Sequence, residues 1–197
     1  MCRLYETIKV EKRHLKHIVY HNARLNRTRK EVFGNIAEIN LEDFIQIPDD
    51  LSNEIFKCRV TYDRKIIKIE FEKHKPRVIN SLKVIHCNEI DYHLKYSNRE
   101  QLRDLYEKRE DCDEVLIIKD GFVTDTSFSN IVFWNGSQWI TPENPLLEGT
   151  ARARLLDQKV ILKGEIRIEE LSKYPRARII NALNDLQESG DILEFVI

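Results

Sequence analysis

Apolar and polar positions alternate over residues 4–10 (L-Y-E-T-I-K-V), the period of a strand with one face on a core. Residues 15–20 (L-K-H-I-V-Y) carry a similar signal across the charged turn E-K-R-H, which predicts a paired strand. At His21 the period changes. Residues 21–33 are polar, with apolar positions such as Ala23, Val32 and Phe33, and end at Gly34, which predicts a surface helix closed by a glycine. A second helix is expected over 41–47, with Asn40 at its N-cap and Pro48 at its stop. Three strand-like runs follow at 55–62, 65–71 and 78–86. The proline in the polar run K-H-K-P-R (73–77) marks a break in regular structure. The pattern therefore predicts a small α+β domain over 1–74, a linker over 75–80 and a larger domain over 81–197.

The larger domain carries the sharper signals. S-N-R-E places Glu100 three residues after Ser97 in capping-box spacing, so a helix is expected from Ser97 or Asn98 through Glu107. Residues 115–119 and 122–125 flank a D-G pair, and 130–134 and 137–141 flank N-G, two successive hairpins that predict an antiparallel meander. A two-turn helix is expected over 151–157, then strands at 165–168, 177–180 and the terminal L-E-F-V-I.

Composition narrows the function classes. With 42% hydrophobic and 33% charged residues but only 6 glycines and 5 prolines, the chain is an ordered globular protein rather than a disordered one. Its formal net charge of −1 gives no overall field to attract nucleic acid or a membrane. The 4 cysteines, Cys2, Cys58, Cys87 and Cys112, form no C-x-x-C, and His21, His86 and His93 form no ligand spacing, so no metal is expected. Met1 is not followed by a charged segment and an apolar run, and no 18-residue apolar stretch exists, so a cytoplasmic protein is expected. The glycine-rich nucleotide motifs and G-x-S-x-G are missing from the sequence.

The candidate chemistry lies between Asp91 and Asn130. Lys95 closes an irregular polar segment just before a helix, where rigid neighbours can aim a lysine into a cleft. A lysine can hold an aldehyde cofactor as an imine, and a carboxylate such as Asp125 can hold a protonated pyridine nitrogen. Gly149 and Thr150 open a helix and can offer backbone N–H groups to an anion. Arg24 could add a charge-assisted bond, and Asn181 and Ala182 form a loop where another anion could be met. Set against this is the basic run that starts at Lys12 and ends at Lys30, whose interleaved charges and aromatics suit either a nucleic-acid surface or a solvated helix face.

Taken in order, these segments resemble the class IV pyridoxal-phosphate aminotransferases, the family of branched-chain and D-amino-acid aminotransferases and of aminodeoxychorismate lyase. L-Y-E-T-I-K-V resembles the family's E-T-I-R, and H-N-A-R-L its H-x-x-R-L. H-L-K-Y-S-N-R is similar to the lysine motif in its lyase form, K-x-x-N-R, and D-G-F-V-T-D-T-S-F-S-N to the segment that supplies the ring-nitrogen carboxylate. T-P with L-L-E-G-T-A-R, and I-I-N-A-L, resemble the two phosphate-binding segments. The resemblance implies a two-lobe α/β fold like that of the D-amino-acid aminotransferases, with pyridoxal 5′-phosphate between the lobes, in a homodimer acting on a small amino substrate. It further implies Lys95 as the imine lysine and proton carrier and Asp125 as the partner of the ring nitrogen. Arg24, Gly149, Thr150, Asn181 and Ala182 would hold the phosphate, with Arg99 a candidate substrate contact. The chain departs from the family in three places. Met1 lies almost against E-T-I, an aspartate stands where the family has glutamate, and T-A replaces the usual I-T. Elimination of the aminodeoxychorismate type, or amino-group transfer, is the reaction implied; a cofactor-binding relative with lost or altered catalysis is the alternative.

Overall fold

In the computed structural model, residues 3–197 are described; Met1 and Cys2, named in the N-terminal and cysteine readings, lie outside them. The chain forms two units, one holding Met1–Lys75 with Leu94–Asn98, the other Pro76–His93 with Arg99–Ile197. Together they make a mixed α/β fold.

The first unit is a four-stranded antiparallel sheet and one long helix. Strands β1 (Leu4–Glu11), β2 (His14–Leu15), β3 (Phe56–Tyr62) and β4 (Ile66–Lys73) lie in the order β2-β1-β3-β4. Alternation along β1 and β3 places Leu4, Ile8, Val10, Cys58, Val60 and Tyr62 in one core with Leu25, Leu41 and Leu94. Helix α1 (Ile18–Phe33) begins earlier than the pattern predicts, so the expected strand over 15–20 is cut to the last residue of β2. The reason is legible in what the helix buries. His21, Arg24, Leu25, Thr28 and Arg29 form its inner face, so the 3.6-residue period is carried mostly by polar residues and an apolar count cannot see it. The solvated-face reading of 12–30 therefore holds for exposed Lys12, His14, His17, Arg27 and Lys30 and fails for His21, Arg24 and Arg29.

The helix expected over 41–47 is only a 3-10 turn, Leu41–Asp43. Farther on, the Arg13 guanidinium donates to the carbonyls of Pro48 and Asp49, at 2.8 and 2.9 Å, and draws the chain into an irregular loop.

The second unit is organised by a large sheet. Its strands are β5 (Ser81–His86), β6 (Glu114–Lys119), β7 (Phe122–Thr126), β8 (Asn130–Trp134), β9 (Trp139–Pro142), β10 (Ile161–Gly164), β11 (Arg176–Ile180) and β12 (Glu194–Val196), with helices α2 (Glu100–Glu107) and α3 (Thr150–Asp157). The order is β10-β9-β8-β7-β6-β5-β12, with β11 antiparallel against β8. From β6 to β9 the sheet is the antiparallel meander that the turns predicted, while β5, β10 and β12 join in parallel. Asp120 and Gly121 both have left-handed backbones, φ 51° and 80°, as a two-residue hairpin turn requires.

Two expectations fail here. Helix α2 starts at Glu100 with no side-chain cap; Ser97 N donates to Arg3 O at 2.8 Å beside the Leu4–Tyr96 bridge, and the buried Ser97 hydroxyl has no hydrogen-bond partner. The strand expected at 165–168 is displaced to β10; Arg167 makes a single bridge to Phe122 and Ile168–Lys173 coils into a 3-10 turn.

Candidate functional site

The first unit brings together Lys95 and Arg24 with three residues to which sequence reasoning gave no role, Glu6, His21 and Tyr5. Glu6 shares the inward face of β1 with Leu4, Ile8 and Val10, so a carboxylate stands where the alternation demands an apolar side chain. It is fully buried. Arg24 donates through Nε to Glu6 Oε1 at 2.9 Å and through Nη2 to Oε2 at 2.5 Å, and His21 Nδ1 lies 2.6 Å from Oε2. His21 and Arg24 are three residues apart on one helix, which puts both above the same carboxylate.

Burial alone would raise the Glu6 pKa. The Arg24 charge and the hydrogen bonds from His21 and Arg24 overcome it and hold the group at about 2. His21 moves the other way: burial, the Arg24 charge and the Lys95 charge outweigh Glu6 and keep the ring below the usual histidine range.

Lys95 is positioned by its backbone, since Tyr5 N donates to Lys95 O at 3.1 Å and Tyr96 bridges Leu4. Its Nζ lies 4.8 Å from the centre of the Tyr5 ring.

The second unit gathers the other candidates. Asp125 lies at the end of β7, paired in register with Asn130 at the start of β8, and is 4% exposed. Asn130 Nδ2 donates to Asp125 Oδ1 at 2.7 Å and to Leu147 O at 2.8 Å, while Leu147 N donates to Asp125 Oδ2 at 2.9 Å. Burial pushes Asp125 up to about 6 despite these donors and the Arg152 charge.

Gly149 precedes α3, and Thr150 opens it, buried. A Cβ on Gly149 would lie 2.0 Å from Asn130 Oδ1. Asn181 Nδ2 donates to Ser129 Oγ at 2.8 Å, and its Oδ1 accepts from Leu183 N and Asn184 N, which shapes the turn around half-buried Ala182. Arg99 donates through Nη2 to Ser127 O at 2.7 Å, two residues beyond Asp125.

Asn130 is the residue the sequence reading passed over in this unit. It belongs to the quoted motif, but only the pairing of β7 with β8 shows that its amide supports Asp125. Glu6 could have been found as a charge at an inward strand position, and His21 by its spacing to Arg24. Among the described residues no cluster of histidine, cysteine or acidic side chains could hold a metal ion.

Comparison with known proteins bears on what this arrangement serves. Residues 3–188 match the amino-transferase class IV family. An uncharacterized protein of Haemophilus influenzae is 36% identical over 188 residues, 94% of this chain and 100% of that one. The crystal structure of a candidate 4-amino-4-deoxychorismate lyase from Haemophilus somnus 129PT is similar with a TM-score of 0.86 at 35% identity, over 94% of this chain and 98% of that one. A candidate amino-acid aminotransferase from Mesorhizobium loti shares the fold at 20% identity, with a TM-score of 0.80 over 100% of both chains. The chain belongs to the class IV aminotransferases, and it is a pyridoxal-phosphate-dependent enzyme.

Proposed function

We propose that this enzyme acts on a small amino compound by elimination of the aminodeoxychorismate lyase type, with amino-group transfer as the competing outcome. The observation that carries the reading is the 35% identity and 0.86 TM-score with the candidate lyase over nearly the whole of both chains. The K-x-x-N-R spacing of Lys95, Asn98 and Arg99 supports the same branch.

The residues present fit the cofactor. Each Asp125 oxygen accepts a hydrogen bond from the protein and, as a carboxylate oxygen, has a further lone pair for a ring N–H. Arg24 engages Glu6 through its Nε and Nη2 nitrogens, which leaves the Nη1 side for an anion. The start of α3 at Gly149 and Thr150 has the unpaired N–H donors of any first helical turn.

When bound, pyridoxal phosphate supplies an electron sink for charge developing at the substrate's α-carbon. Lys95 is the residue proposed to hold the cofactor and then to carry the proton at that carbon. Asp125 keeps the ring nitrogen protonated, and Arg24, Gly149, Thr150, Asn181 and Ala182 hold the phosphate. Arg99, with Nη2 on Ser127 O, meets the substrate through its other terminal nitrogen. The burial of Arg24 and Arg29 supports this small-molecule role over a nucleic-acid surface along α1. A homodimer and a cytoplasmic setting belong to the same proposal; among the described residues no helix is long and apolar enough to cross a membrane.

Absorbance of the purified protein with added cofactor tests the assignment. An imine band that Lys95→Ala abolishes is expected, and a colourless wild type sinks it. Formation of 4-aminobenzoate from aminodeoxychorismate then separates elimination from transfer to keto acids. Failure with that compound and with a panel of amino donors would leave a cofactor-binding relative with lost catalysis.

A further inference from the structure

We propose that His21 takes up a proton when the cofactor's phosphate binds, and that Glu6 orients the ring so that this proton goes to Nε2. This deepens the reading above and rests on Arg24 as a phosphate residue.

Geometry sets the starting state. His21 and Glu6 are 1% and 0% exposed, with Nδ1 and Oε2 2.6 Å apart. An ionised carboxylate only accepts, so Nδ1 carries the hydrogen and the neutral ring keeps its basic lone pair on Nε2. Glu6 is itself locked into the ionised form by two bonds from Arg24. Any proton that enters this cluster near neutral pH therefore goes to the imidazole.

Charge decides when it enters. The groups acting on His21 are Glu6 from β1, Arg24 from its own helix and Lys95 from the 94–98 segment. Two of these are cations and one is an anion, and the cations, together with burial, hold the ring below the usual histidine range in the cofactor-free protein. A phosphate dianion beside Arg24 moves the local charge two units toward negative. Excess charge in a buried site is costly, and protonating His21 offsets one unit of it. The proton comes from solvent, and no other bond is made or broken.

The test uses the full-length chain freed of cofactor and inorganic sulfate as the phosphate probe, because sulfate does not titrate near neutral pH and any proton taken up must go to the protein. Calorimetric titration at pH 7 in buffers of different ionisation enthalpy gives the protons bound per sulfate. The expected uptake is about one, lost in His21→Gln, whose amide still donates to Glu6. Sulfate binding that Arg24→Gln weakens but that takes up no proton overturns the role of His21 alone. Binding that Arg24→Gln leaves unchanged overturns the phosphate assignment and this inference with it. Should His21→Gln not fold, the wild-type imidazole nitrogen resonances decide: a ring that stays neutral at saturating sulfate refutes the idea, and one that becomes protonated supports it.

Discussion

Gly149 offers a sharp test of how the Asp125 site is built. Its backbone, φ −68° and ψ 149°, suits any residue, so conformational freedom does not explain a glycine there. Space does. An added Cβ would lie 2.0 Å from Asn130 Oδ1, closer than real contacts allow, and a tight 3.2 Å from Asn130 Cγ. Asn130 is 5% exposed and has nowhere to move without giving up its bonds to Asp125 Oδ1 and Leu147 O. Leaving buried acceptors unpaired costs about 1–3 kcal/mol each, so Gly149→Ala should destabilise the protein by about 2–4 kcal/mol.

The same route predicts non-additivity. Asn130→Ala removes both hydrogen bonds and also the atoms that a methyl group at position 149 would strike. In that background Gly149→Ala should cost under about 0.5 kcal/mol, for a coupling of about 2 kcal/mol in a double-mutant cycle read by urea unfolding. If the two single changes add, or if Gly149→Ala alone is neutral, the glycine is not there to seat Asn130. Affinity for pyridoxal phosphate should fall in both single variants, since each loosens Asp125.

Two of the buried carboxylates, Glu6 and Asp125, should give stability opposite pH dependences. Glu6, held at about 2 against 4.5, contributes stability that is present above about pH 4.5 and is lost as pH falls toward 2. Glu6→Gln should flatten that limb, removing about 3 kcal/mol of pH-dependent stability in urea titrations. Asp125, raised from 3.8 to about 6, binds a proton in the folded protein where the unfolded chain has lost it, so its contribution to the stability of the cofactor-free protein should fall as pH rises from about 4 to 6. Asp125→Asn should remove that contribution, also about 3 kcal/mol, and a wild type whose stability relative to Asp125→Asn does not fall over this range would contradict the assignment.

Legibility in the sequence followed how far local pattern reported on contacts. β1, β3 and the β6–β9 meander could be read because alternation and D-G or N-G turns are local signals, and the structure keeps them. Helix α1 was blurred because its buried face is His21, Arg24, Thr28 and Arg29, and the charged members need distant partners to be buried at all. The 41–47 segment failed for a related reason. Its course is followed by carbonyl contacts from Arg13, more than thirty positions away, which no window can contain. Lys95, Asp125 and Gly149 were proposed from ordered motifs. Asn130, Glu6 and His21 stood in the same motifs, but their roles depend on which oxygen meets which nitrogen across two elements, and spacing does not carry that.

The contrast between Glu6 and Asp125 bears on the proposed role of Asp125 at the ring nitrogen. Both are buried, yet Glu6 has a full guanidinium on two of its bonds, and Asp125 has only neutral donors from Asn130 and Leu147. The cation that acts on Asp125 at a distance, Arg152, directs its own hydrogen bonds to Thr141 Oγ1 and the carbonyls of Pro142 and Glu143. Glu6 is therefore satisfied and works as a fixed counter-charge that aims Arg24. Asp125 is left with an uncompensated desolvation cost, visible as its raised pKa, and a protonated ring nitrogen is the partner that would relieve it. Binding the cofactor should consequently lower the Asp125 pKa and convert its destabilising burial into affinity for the protonated ring. A carboxylate already paired as Glu6 is would gain little from such a partner.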